Sequence, residues 1–107
     1  MSIKLPRHVK IGPIMFSVQR VKTVGRKAAT WGNSSYRRAA IKIKSAMPVQ
    51  HQAVTLMHEI CHPLLVDMGR NDLADDESFV EKLSENLMDT LWNSPGLLRY
   101  LKETKKA

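Results

Sequence analysis

The period of the hydrophobic pattern changes once along this 107-residue chain, near Ser45, and that change restricts the fold more than any other feature. Before it, apolar residues alternate with polar ones: Val9 and Ile11, then Ile14, Phe16 and Val18, and later Ile41 and Ile43 within AAIKIKS. A period of two is that of a strand with one buried face. After it, Val54, Met57, Cys61, Leu64 and Met68 recur at helical spacing, as do Val80, Leu83, Leu87 and Leu91. Strands followed by helices predict an α+β fold, with helices packed on one face of a small antiparallel sheet of about three strands. A chain of this length holds one core, so a single domain over 1–107 is expected.

Local signals divide the two halves further. Gly12-Pro13 interrupts the first alternating run and predicts a β-hairpin or a sharply bent strand between Val9 and Val21. The segment TVGRKAATWGNSSYRR, residues 23–38, carries two glycines and an Asn-Ser-Ser cluster and reads as loop, after which a third strand ends near Lys44. Ser45 is placed to cap a long helix with Pro48 in its first turn, running toward Gly69. Inside it, Pro63 removes one backbone hydrogen bond and predicts a kink or change of direction just after His62. Asp72 or Asp75 is the expected cap of a second long helix, and Ser94-Pro95 starts a shorter one containing GLLRYLKE.

Charge is segregated as well. All ten acidic residues lie from Glu59 onward, whereas eleven of the seventeen Lys and Arg lie between Lys4 and Lys44. Such a basic half solvates the outer face of a small sheet. Nucleic acid is the candidate partner if it does more, because a net charge of +7 concentrates polyanions, although no nucleic-acid-binding motif accompanies it. No run approaches the ~18 apolar residues that span a bilayer, and MSIKLPRHVK lacks the apolar centre of a signal peptide. A cytoplasmic protein without membrane contact is expected. The single cysteine, Cys61, permits no internal disulfide, and its place on the apolar stripe makes it a small core residue.

The stretch TLMHEICHPLL, residues 55–65, carries the chemistry. His58 and His62 sit four apart, on one helix face one turn from each other, so both imidazoles reach a single ion; Glu59 is near enough to handle a water molecule there. A catalytic zinc site needs a third protein ligand. No histidine follows His62, and Leu65 and Met68 stand where a longer zinc motif places glycine and histidine. A carboxylate of the second long helix is left. Glu77 extends the apolar phase of Val80 and Leu83 and is the best placed, with Asp76 and Glu81 as competitors. Acidic residues in a first helical turn are favoured by the helix dipole in any case. Glu81 is placed to hydrogen-bond a ligand imidazole, and His51, one turn before Thr55, to line the site.

HEICH, preceded by short strands and followed by DDESFVEKLSENLMDTLWNSPGLLRYL, resembles the small phage- and prophage-encoded zincin metallopeptidases related to the ImmA/IrrE group. The resemblance covers most of the chain from about Val9, and NSPGLLRYL is similar to the NPxLLxYL ending of such proteins. It implies a minimal zincin-like fold, a Zn²⁺ cofactor held by His58, His62 and Glu77, and Glu59 as general base in the hydrolysis of a peptide bond. The implied substrate is a protein or peptide. Such a substrate is expected to lie as an added strand beside AAIKIKS, with His51, Tyr36 and Tyr100 all open choices for the group that stabilises the oxyanion. The alternative is a zinc-stabilised binding module without activity, using its basic surface on nucleic acid or a host protein.

Overall fold

A computed structural model describes residues 3–24 and 31–107. Four strands, β1 (His8–Ile11), β2 (Ile14–Val21), β3 (Gly32–Ser35) and β4 (Ala40–Lys44), precede four helices, α1 (Val49–Asp67), α2 (Asn71–Ala74), α3 (Glu77–Trp92) and α4 (Pro95–Lys106). The class is α+β, as the change of period predicts. Among the described residues, no helix is long and apolar enough to cross a membrane.

The sheet differs from expectation in strand count and in sense. Its order is β1-β2-β4-β3; β1 with β2 and β3 with β4 are antiparallel, but β2 runs parallel to β4. The cause lies in residues 23–38. Gly32-Asn33-Ser34-Ser35, read as loop, forms the edge strand β3, pairing Gly32 with Ile43 and Ser34 with Ile41. These residues have little intrinsic strand preference, and pairing with β4 overrides it. Gly25, the other glycine of that segment, lies outside the described residues. In consequence β4, the strand of AAIKIKS, is interior, and β3 is the edge strand beyond it.

Alternation places Ile11, Phe16, Val18, Ile41 and Ile43 on one sheet face, all buried, with Leu56 and Ile60 of α1 packed against them. Each such side chain contributes about 1.5–3 kcal/mol by leaving water. Another side of α1 presents Cys61 and Leu65 to Ala74 of α2 and Val80 of α3, a second buried cluster. Because α1 is covered on two sides, its single predicted stripe is only partly buried: Leu64 and Met68 are exposed.

The ends of α1 also depart from the local signals. Pro48, rather than Ser45, is its N-cap. Buried Gln52 secures this end, its amide donating to the Met47 carbonyl (2.9 Å) while its oxygen accepts from Arg20 Nε of β2 (2.7 Å). The helix continues through Pro63 to Asp67, so the chain does not leave the helix after His62. Packing on two sides outweighs one missing hydrogen bond. The chain turns at Gly69 instead. This residue sits in the left-handed region at φ 76°, where glycine meets no Cβ penalty, and Gly69 and Arg70 donate back to the Val66 and Leu65 carbonyls.

Gly32 permits the close approach of β3 to α1. A Cβ at this position meets Thr55 Cγ2 at 2.6 Å and Glu59 Cγ at 3.2 Å. Gly32→Ala is therefore expected to lower stability by about 1–3 kcal/mol in urea unfolding. Thr55→Ser removes the opposing methyl and should recover most of that loss in the double variant. Simple additivity of the two changes contradicts the contact.

Candidate metal centre

His58 and His62 project from one face of α1, both half-buried, with their Nε2 atoms 3.2 Å apart. Glu77, the first residue of α3, closes the group. Its Oε2 lies 3.0 Å from His58 Nε2 and its Oε1 lies 2.9 Å from His62 Nε2. Helical phase puts it there: Val80, Ser84 and Met88 are the buried residues of α3, and Glu77 begins the same stripe. Leu87, expected on that stripe, is 40% exposed, so the inward face runs through Ser84 and Met88. Among the described residues, these three side chains form the one group of His, Cys, Asp and Glu close enough to hold a metal ion.

Hydrogen bonding fixes which atoms face the centre. His62 Nδ1 lies 2.7 Å from the Ala74 carbonyl. A carbonyl only accepts, so Nδ1 carries the proton and Nε2 of neutral His62 presents a lone pair. That lone pair faces a carboxylate oxygen at 2.9 Å and a second imidazole nitrogen at 3.2 Å. Electron-rich atoms this close require shared positive charge between them, from a proton or a cation. With bonds of ~2.0–2.1 Å, ligand atoms around tetrahedral zinc stand ~3.3–3.4 Å apart, close to this triangle. Two imidazoles and a carboxylate are also donors of the right kind. The residues fit zinc.

Glu59 stands beside the group and is only 8% exposed. Burial pushes its carboxyl above the ordinary glutamate value. The neighbouring His58 and His62 and a hydrogen bond with the Ser34 side chain oppose that rise, and the charge of Glu77 adds to it. A buried carboxylate so placed is suited to accept and return a proton.

A cleft of about 430 Å³ lies over the group, bordered by Gly32, Ser34 and Tyr36 on one side and by Ala74 and Asp75 on the other. A second hollow continues past Trp31 along α3 to Glu81 and Glu85, sharing Gly32, His58, Glu59 and Glu77 with the first. The phase of the β3–β4 ladder follows from one bond, Lys44 N–H donating to the Trp31 carbonyl. Alternate residues of β3 then bond to β4, and the main-chain groups of Gly32 and Ser34 point away from it, at the edge that borders the cleft.

The other predicted residues divide. His51 is exposed and lines neither hollow; Glu81 lines the second hollow, but the hydrogen bond that orients His62 comes from Ala74. Asp76 caps α3, accepting from the Phe79 N–H at 3.1 Å, where Asp72 or Asp75 was expected; Asp72 pairs with Arg70 instead. Tyr36 borders the cleft, whereas Tyr100 is exposed on α4. Cys61 is a buried core residue whose thiol is pushed up by burial. The Ala74 carbonyl has no signal in the sequence, because it is a backbone group freed by the end of a helix. No family model, curated protein or solved structure matches this chain.

Proposed function

We propose that this chain is a zinc-dependent metallopeptidase of minimal zincin type, hydrolysing a peptide bond in a protein or peptide substrate. One observation carries the reading: His58 Nε2, His62 Nε2 and the Glu77 carboxylate converge to within 2.9–3.2 Å of one another, beside the buried carboxylate of Glu59. Burying a carboxylate is costly, and a purely structural zinc site has no use for one outside its ligand set. That cost favours the peptidase over a catalytically idle binding module.

His58, His62 and Glu77 would hold the ion, and the Ala74 carbonyl keeps the His62 proton on Nδ1 so that Nε2 is free to bind. When bound, zinc supplies Lewis acidity, bringing the pKa of water toward ~7 and polarising a carbonyl oxygen. Glu59 moves the proton: its carboxylate takes one from the water that adds to the peptide carbonyl and returns it to the departing amine. Gly32 and Ser34 offer main-chain donors and acceptors to an extended peptide, which is oriented by joining the sheet at β3. The docking edge thus moves from the AAIKIKS strand to β3. Glu81 and Glu85 give one arm of the cleft an acidic wall, which favours basic over acidic substrate side chains. Membership of the phage-encoded zincins and a cytoplasmic site of action belong to the same proposal.

Elemental analysis of the purified protein is expected to find one zinc per chain, lost in His58→Ala and in His62→Ala. Equal zinc in wild type and both variants rejects the site. Glu59→Gln is expected to keep zinc and fold while slowing the hydrolysis of internally quenched peptides by about 100-fold or more. Turnover by that variant within about twofold of wild type removes Glu59 from the proton transfer.

A further inference from the structure

Two of the features that shape the metal centre depend on an interruption between α2 and α3. In a continuous helix the Ala74 carbonyl accepts from the amide four residues on, that of Ser78. Here α2 ends at Ala74, and Asp76 adopts an extended backbone, φ −91° and ψ 94°. Its carboxylate accepts from the Phe79 N–H at 3.1 Å and its carbonyl accepts from the Val80 N–H at 3.0 Å, so α3 starts afresh at Glu77. The interruption has two results. The Ala74 carbonyl, in a residue only 4% exposed, is left to accept from His62 Nδ1 at 2.7 Å. Glu77 becomes the first residue of α3, with its carboxylate against both imidazoles. Val80, fully buried against Cys61 and Leu65, anchors the new helix to α1 just beyond.

We propose that Asp76 is a positioning residue for this centre: by capping α3 it maintains the interruption that frees the Ala74 carbonyl for His62 and aims Glu77 at the histidines. The proposal rests on the metal-site reading above, but its first consequence exists without metal. With the cap in place His62 is held as the Nδ1–H tautomer. Without it, the Ser78 N–H competes for the Ala74 carbonyl, and the tautomer is no longer imposed. Asparagine retains a capping oxygen, while glycine tolerates the cap backbone without supplying one.

The test compares wild type with Asp76→Ala, Asp76→Gly and Asp76→Asn, the glycine variant guarding against poor folding of the alanine one. Chelator-treated, ¹⁵N-labelled protein gives the His62 tautomer from long-range ¹H–¹⁵N correlations, recorded at alkaline pH on the plateau where the imidazole signals no longer change with pH. The expected result is Nδ1–H in wild type and Asp76→Asn, and a mixture in Asp76→Ala and Asp76→Gly. Zinc titration against a competing chelator should then show affinity about 10-fold weaker in the alanine and glycine variants and restored in asparagine. A His62 tautomer unchanged in both cap-deleted variants overturns the proposal. If the tautomer responds as expected but wild type binds no zinc, the positioning stands and the zinc reading falls.

Discussion

Everything at the candidate centre depends on α1 being held from two sides at once. On one side Leu56 and Ile60 lock it to the sheet residues Phe16, Ile41 and Ile43; on another, Cys61 and Leu65 lock it to Ala74 and Val80. A helix held on one side only can roll by a fraction of a turn at little cost. One held on two cannot, because close-packed interiors resist even small changes of volume. The histidines therefore emerge along the seam between the two layers, with Glu59 turned toward β3 and Glu77 arriving from α3.

The same constraint explains how a proline is tolerated one residue after His62. Pro63 deletes the hydrogen bond that its amide would have made, yet α1 runs on to Asp67. Contacts on two flanks supply what the backbone lacks. The direction change comes at Gly69, whose left-handed conformation folds the chain back so that α2 passes beside His62. A short helix with little stability of its own thereby supplies the carbonyl that orients an imidazole.

How far the sequence could be read follows from how local each cause is. The His58, Glu59 and His62 spacing and the phase of Glu77 relative to Val80 are properties of single helices, and the convergence of His58, His62 and Glu77 agrees with them. Strand β3 was not legible. Gly32-Asn33-Ser34-Ser35 has turn composition, and only its ladder to β4 makes it a strand. The parallel pairing of β2 with β4 was hidden for the same reason, since once β3 occupies the edge, β4 must lie between it and β2. The cap of α3 is Asp76 and neither Asp72 nor Asp75, a choice that capping preference alone does not make among neighbouring acidic residues. Leu64 and Met68 fit the stripe by spacing but face solvent, because α1 meets two partners whose directions do not follow from one moment.

The cation proposed to be shared by His58, His62 and Glu77 is open to direct observation by diffraction. Crystals of protein loaded with one equivalent of zinc, measured on either side of the zinc absorption edge, give an anomalous difference map. A single peak within ~2.0–2.2 Å of His58 Nε2, His62 Nε2 and a Glu77 oxygen is the predicted result. Direct imidazole–carboxylate contacts with no peak between them, or a peak held by other side chains, would contradict it.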